Sequence, residues 1–278
     1  MTWLSEPFEP EFMREALLAA LTTSVVGTWV VLRGMSFIGD ALAHGVLPGI
    51  ALAFVVGFDV TLGGILGAAV MVGGINVVTR RSRLAEDTGI GLLFVGMLAL
   101  GVVIVSRAGS FATDLTGFLF GNILAIDGGD LWVLIAAAAV SLVGVAAFYR
   151  SFLVLSFNAE KAEILGLAPR FAHTVLLALV AVAVVSSFRA VGTLLVFALL
   201  VAPPATASLL VRRVPAMMAA SAVLGALSVV TGLVVSYQEG TAAGATIALA
   251  AVAIFFVVLT GREVALRVSE RRMDTSTG

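Results

Sequence analysis

Two polar residues of the 278-residue chain stand four positions apart within an apolar stretch at 35–53, Asp40 and His44. On a helix this i, i+4 spacing places both side chains on one face, one turn apart. An aspartate inside a membrane span costs about 2.5–3.5 kcal/mol on insertion scales, so it is expected only where it serves a purpose. A carboxylate beside an imidazole suits Mn²⁺, Zn²⁺ or Fe²⁺. A structural Asp–His hydrogen bond that locks helix packing and a proton relay are the alternative interpretations.

Proline and glycine follow this pair closely. Pro48 lacks an N–H and clashes with the carbonyl four residues back, which predicts that the carbonyl of His44 loses its helical partner. Gly45 and Gly49 have the G-x-x-x-G spacing that lets another helix backbone approach closely. If one helix ran on from Arg33, His44 would lie about 16 Å further along it, near the middle of a bilayer.

The composition requires membrane-spanning helices to position these residues. Apolar residues make up 60% of the chain, charged residues only 12%, and the mean hydropathy is +1.14. These values exclude an ordinary soluble enzyme and a disordered chain. The sequence predicts an all-α polytopic integral membrane protein of about nine transmembrane helices, each of roughly 17–23 residues. The predicted runs are at about 16–33, 35–57, 60–79, 90–106, 131–149, 172–188, 190–211, 216–236 and 242–260.

Charge placement predicts how the chain is oriented. With nine spans and the C-terminus in the cytoplasm, most of the 16 basic residues lie on the inner side, as the positive-inside rule expects. Residues 111–126 are moderately apolar and are interpreted as an outer-face or re-entrant segment, so eight to ten spans are compatible with the pattern. The prediction is N-out and C-in, with an extracytoplasmic segment 1–15, one membrane domain 16–262, a cytoplasmic loop 150–171 within it and a cytoplasmic tail 263–278.

Several function classes are excluded by what the sequence lacks. There is no cysteine, which excludes thiolate metal sites and disulfides within this chain. The net charge of −1 gives no basic surface for nucleic acid. The single lysine, Lys161, follows Glu160, so no G-x-x-x-x-G-K-[ST] phosphate loop is present. The sequence therefore predicts no ATPase site, no catalytic residues and no permanently bound cofactor.

Five motifs occur in one order over most of residues 15–262. Together they resemble the permease subunits of bacterial manganese, zinc and iron ABC importers, the ABC-3 family. Asn122 stands where that family usually has serine. The motifs are Gly39-Asp-Ala-Leu-Ala-His44-Gly-Val-Leu-Pro-Gly49, Asp87-Thr-Gly-Ile-Gly91, Leu119-Phe-Gly-Asn-Ile-Leu124, Val191-Gly-Thr-Leu-Leu195 with Pro203-Pro-Ala-Thr-Ala207, and Gly244-Ala-Thr-Ile247.

The resemblance implies a function and a set of partners. It implies a multi-pass permease subunit in the bacterial cytoplasmic membrane, which imports Zn²⁺ or Mn²⁺, with Fe²⁺ as a third candidate. Asp40 and His44 match the family positions implicated in metal passage. The implied partners are a cytoplasmic ABC ATPase, an extracytoplasmic metal-binding protein and a second permease copy in a homodimer. A proton-coupled secondary transporter and an ABC permease for a metal chelate are the alternative functions.

The loop after the fifth run carries the residues that the resemblance assigns to coupling. Asn158 is expected to cap a short helix that contains Glu160 and Glu163 and ends near Gly166. The resemblance implies that this segment docks in a groove of the ATPase, although family members often have aspartate at the position of Asn158. A plain surface helix between two spans is the alternative.

Five further residues carry weaker interpretations. Pro203 and Pro204 are expected to interrupt the seventh run and to mark a helix that lines a pathway, and a kink needed only for packing fits them equally well. Asp114 and Glu239 are outer-side carboxylates that either guide the ion or are solvated loop charges. His173, at the inner end of the sixth run, is interpreted as an interfacial residue rather than a ligand.

Overall fold

The computed structural model describes residues 10–35, 37–82, 84–106, 128–157 and 168–274, and these residues form helices joined by short turns. The helices are α1 Pro10–Leu32, α2 Ile38–Gly45, α3 Leu47–Val56, α4 Val60–Arg81, α5 Glu86–Ser106, α6 Gly128–Phe157, α7 Pro169–Val191, α8 Thr193–Leu210, α9 Val214–Glu239 and α10 Ala243–Asp274.

All nine predicted runs are helical, which confirms the all-α polytopic prediction. Within the described residues, eight helical segments are long and apolar enough to cross a membrane, and α2 and α3 together form one of them, Ile38–Val56. The apolar part of α8, Leu194–Leu210, is shorter. The segment 111–126 lies outside the described residues, and the N-out, C-in orientation remains a prediction. Several helices extend past the predicted runs, since α1 begins at Pro10, α6 ends at Phe157 and α10 ends at Asp274.

Helix α1 forms the centre of the bundle, because it packs against α6, α7, α8 and α9. Its side chains are small or aromatic where neighbours approach. Trp29 is fully buried and meets the rings of Tyr149 and Phe152 edge-on, each at a centroid distance of 5.5 Å. On another face, Ser221 of α9 donates its hydroxyl to the backbone carbonyl of Ser24 at 3.2 Å.

The short helix α2 lies beside this centre and packs against α4, α5, α7 and α8. It is separated from α1 by a turn at residues 33–37, in which Gly34 has a φ of +68°, a left-handed conformation that favours glycine. Thus four helices surround the segment that carries Asp40 and His44. In contrast, large apolar side chains of α4, α5, α6 and α10 are exposed on the outside of the bundle, as expected for surfaces that face lipid.

Candidate functional site

Asp40 and His44 lie together on one face of α2, as the i, i+4 spacing predicted. The Nε2 atom of His44 is 3.3 Å from the Oδ1 atom of Asp40. The Asp40 side chain retains 32% of its accessible surface and His44 retains 18%, so the pair is half-buried and open on one side. Within the described residues, the ion-pair partner of Asp40 is His44 alone. The pair is therefore a negatively charged site whenever the imidazole is neutral.

The other side of the imidazole faces a low-polarity environment. The Nδ1 atom of His44 is buried and has no hydrogen-bond partner in the part of the chain that the structure describes. The ring of Phe94, from α5, lies 5.8 Å from the imidazole centroid in a tilted arrangement. A buried nitrogen without a hydrogen-bond partner is costly.

Pro48 breaks the second span instead of kinking one continuous helix. α2 ends at Gly45, Val46 separates the two helices, and Pro48 stands in the first turn of α3, where its missing N–H costs nothing. The prediction that the carbonyl of His44 is left free is wrong, because it accepts the N–H of Val46. Since α2 begins at Ile38, His44 lies only about 9 Å along it.

The glycine spacing at 45 and 49 does permit close packing, as predicted. A Cβ on Gly49 would collide with the backbone carbonyl of Gly63 in α4, and one on Gly63 would meet the carbonyl of Gly49. Gly45 packs against the side chain of Met71, with a Cβ position 3.0 Å from its Cγ. These contacts place the end of α2 and the start of α3 directly against α4 and fix the direction in which the pair faces.

Helix α8 supports α2 from the other side. A Cβ on Gly39 would lie 2.5 Å from the side chain of Leu200, so the helices touch next to Asp40. Pro203 and Pro204 lie inside α8, which continues past them to Leu210. The expected interruption of this run is therefore not observed. The carbonyl that Pro204 deprives of its donor belongs to Leu200, and it lies against the backbone of Gly27 in α1, which leaves no space for a Cβ.

Of the remaining predicted site residues, the structure describes Glu239. Glu239 is exposed at the last position of α9. Four residues assigned to coupling and one outer-side carboxylate lie outside the described residues, and their roles remain predictions: Asn158, Glu160, Glu163, Gly166 and Asp114.

His173, interpreted from the sequence as an interfacial residue rather than a ligand, is buried in an ionic cluster. Its Nδ1 atom is 3.0 Å from Nη1 of Arg33, and its Nε2 atom is 3.3 Å from Oε1 of Glu86. Arg33 also donates to Oε2 of Glu86 at 3.1 Å. Sequence reasoning missed this cluster, although charged residues at three helix ends gave a weak signal for it.

Asp40 and His44 could offer one oxygen and one nitrogen to a metal ion. Among the residues that the structure describes, no group of three or more His, Cys, Asp or Glu side chains could hold a metal ion. Two protein ligands leave most of an ion's coordination to water or to other groups. This arrangement suits an ion that passes through, because a full protein cage would bind it too tightly for release.

Comparison with known proteins extends these observations. The family model described as "ABC 3 transport family" matches residues 9–262. The chain is 38% identical over 261 residues to the manganese transport system membrane protein MntC of Listeria monocytogenes, covering 92% of this chain and 93% of that protein. It is 34% identical over 269 residues to a probable iron transport system membrane protein of Haemophilus influenzae, covering 95% and 99%.

A solved structure shares both sequence and fold with the chain. It is described as PsaBC from Streptococcus pneumoniae in complex with Fab, and one of its chains is 33% identical, with a TM-score of 0.79 and 92% of each chain covered. The match therefore extends over almost the whole length of the chain.

Proposed function

The chain belongs to the ABC 3 transport family, and from this premise we propose that it moves divalent manganese, or iron, past Asp40 and His44. It is a multi-pass membrane permease subunit of an ABC importer and carries no catalytic site of its own. Because the chain belongs to an ABC transport family, we prefer ATP-driven import to the proton-coupled secondary transporter. Manganese and iron are named for relatives that cover nearly the whole chain, whereas imidazole and carboxylate chemistry alone serves zinc equally well.

The observation that carries the proposal is the Asp40–His44 pair itself. Its two groups are 3.3 Å apart on a broken span, and among the described residues no arginine or lysine neutralises the carboxylate. An ion that reaches this position replaces part of its water shell with one oxygen and one nitrogen. Because only two protein ligands are supplied, we expect weak binding and rapid release.

Three partners complete the proposed importer. A cytoplasmic ABC ATPase hydrolyses ATP, a metal-binding protein delivers the ion from outside, and a second copy of this chain completes the membrane part. The segment around Asn158, Glu160, Glu163 and Gly166 contacts the ATPase in this proposal. Its support is the position of the segment between two long helices, α6 and α7, and the family to which the chain belongs.

The test is uptake of radioactive manganese, iron and zinc by cells that express the chain with its ATPase and binding protein. We expect uptake of one metal to be lost in Asp40→Ala and His44→Ala at unchanged protein level. Glu263→Gln is the matched control, since Glu263 is exposed on α10, and it should retain wild-type uptake. Unchanged uptake in both alanine variants would show that Asp40 and His44 are not the metal site. Transport of an organic metal chelate, but of no free metal ion, would show that the chain is a permease for a metal chelate.

A further inference from the structure

A buried ionic cluster joins three helix ends away from the proposed metal pair. Arg33 directly follows α1, Glu86 is the first residue of α5, and His173 lies in the first turns of α7. Their side chains retain 12%, 23% and 10% of their accessible surface, respectively. Each of the three contacts the other two within 3.3 Å.

The contacts fix the chemical state of the cluster. An arginine side chain only donates, so Nδ1 of His173 must accept from Arg33 and therefore holds a lone pair. The proton of the neutral imidazole then sits on Nε2, which faces Oε1 of Glu86. Burial lowers the pKa of the Arg33 guanidinium, while the charge of Glu86 and its hydrogen bond oppose that effect. The cluster thus consists of one guanidinium, one carboxylate that contacts it directly, and a neutral histidine that contacts both.

The start of α5 also holds the start of α2. Asp87, next to Glu86, accepts the backbone N–H of Phe37 with its Oδ1 atom at 3.3 Å. Residues 33 and 37 bound the turn between α1 and α2, so the two adjacent carboxylates hold both ends of that turn. α2 begins at the next residue, and Asp40 and His44 lie within its eight residues.

The start of α7 is also bonded to a neighbouring helix, α4. Thr174 donates its hydroxyl to the side-chain oxygen of Asn76 in α4 at 2.9 Å, next to His173. α7 begins at Pro169, directly after the segment 158–167 that includes the residues proposed to contact the ATPase. Movement of the first turns of α7 would reach Glu86 and Arg33 through the contacts of His173, and thereby the turn that leads to α2.

We propose that Arg33, Glu86 and His173 form an ionic clasp that carries movement of α7 to α2 and so to the metal pair. The proposal rests on the function proposed above, and it assigns the three as positioning residues that never touch the ion. Replacing a buried ion pair with apolar residues is often neutral or stabilising, so stability alone is a weak reason for such a cluster. A defined geometry between moving helices is the use that the three-way contact supports.

The first experiment measures coupling in proteoliposomes that contain the permease, its ATPase and its binding protein. Both metal uptake and ATP hydrolysis are recorded for wild type, Glu86→Gln, Arg33→Gln and the double variant. We expect the ratio of metal moved to ATP hydrolysed to fall at least about fivefold in each single variant, the scale of a typical coupling energy. The double variant should fall no further than the singles, because the two residues act as one unit.

Glu263→Gln is the control for loss of a carboxylate, and Glu86→Asp should recover part of the ratio because it restores the charge. A permease that only loses stability would lower uptake and stimulated hydrolysis together and leave their ratio unchanged. That result, or an additive double variant, would overturn the clasp.

The second experiment does not depend on metal transport. Because the chain contains no cysteine, spin labels can be placed at Phe37→Cys and Phe171→Cys, two exposed positions at the starts of α2 and α7. We expect one narrow distance distribution with and without ATP in the otherwise wild-type complex, and a broadened, ATP-dependent one after Glu86→Gln. Identical distributions in both backgrounds would exclude the clasp. If wild type moves no metal, the proposed function fails while this measurement still decides the inference.

Discussion

The molecule contains the same chemical pair twice, a carboxylate oxygen 3.3 Å from the Nε2 atom of a histidine. In one region Asp40 and His44 share a single short helix. In the other, Glu86 and His173 come from different helices, and Arg33 contacts both. The first pair stays open on one side, while the second is closed by a guanidinium. The distance between carboxylate and imidazole therefore does not distinguish a transport site from a structural cluster.

The presence of Arg33 distinguishes the two regions. A guanidinium beside Glu86 neutralises the carboxylate and occupies both the oxygen and the Nδ1 atom that a cation would need in its surroundings. Asp40 has no such neighbour among the described residues, so its charge remains available to a passing ion. We therefore expect the region around Asp40 to attract a divalent cation more strongly than the region around Glu86, because Arg33 is present only in the second.

The largest expected effect comes from giving the metal pair an arginine. Phe94 lies beside His44, and Phe94→Arg would place a guanidinium near the pair. At about 6 Å and an effective dielectric constant of about 20, a unit positive charge opposes a divalent ion by about 5 kcal/mol. We expect manganese uptake to fall at least about 100-fold, since tenfold corresponds to about 1.4 kcal/mol.

Phe94→Met is the matched control, because it removes the ring and keeps an apolar side chain of similar length. It should retain most of the uptake. Since an arginine in a span can disturb insertion, both variants are compared by size-exclusion chromatography and by binding of manganese to the purified protein. Equal manganese binding by the two variants would contradict the role assigned to local charge.

The second prediction removes the arginine from the clasp and compares stability. Arg33→Gln leaves Glu86 with an uncompensated charge, and we expect the free energy of unfolding in detergent to fall by about 2–4 kcal/mol. Asp40→Asn should change it by no more than about 0.5 kcal/mol, because Asp40 is one-third exposed and has no cationic partner there.

We therefore expect Asp40→Asn to lose uptake while its free energy of unfolding stays unchanged, whereas Arg33→Gln should lower the free energy of unfolding. If Asp40→Asn were the less stable of the two, the pair in α2 would be a structural hydrogen bond, the alternative that the sequence left open.

The sequence predicted the elements and the metal pair better than it predicted their surroundings. The nine apolar runs identified the span-length helices among the described residues, because the bilayer sets their length. The i, i+4 spacing identified the contact between Asp40 and His44, because both residues belong to one helix. The spacing of Gly45 and Gly49 predicted close packing for the same local reason.

Long-range contacts could not be predicted in this way. Residues 33, 86 and 173 are far apart in the chain, and nothing in their local sequence says that three helix ends meet. Only one of the two predicted helix breaks is observed, since Pro48 lies in the first turn of a new helix whereas Pro203 and Pro204 remain inside α8. Neighbouring helices decide between these outcomes: the carbonyl of Leu200 packs against Gly27, which stabilises a helix that local rules would interrupt.

The smallest expected effect tests how the broken span is held rather than its chemistry. Gly49→Ala would place a methyl group against the backbone of Gly63, so α3 must move away from α4 at a cost of about 1–3 kcal/mol. Gly73→Ala is the matched control on the open face of α4, where a Cβ meets no atom within 4 Å. We expect a lower midpoint of thermal unfolding and reduced uptake for Gly49→Ala, and an unchanged or higher midpoint for Gly73→Ala. Equal midpoints would mean that close approach of α3 and α4 does not orient the pair, and that the packing of α2 against α5, α7 and α8 is sufficient to hold it.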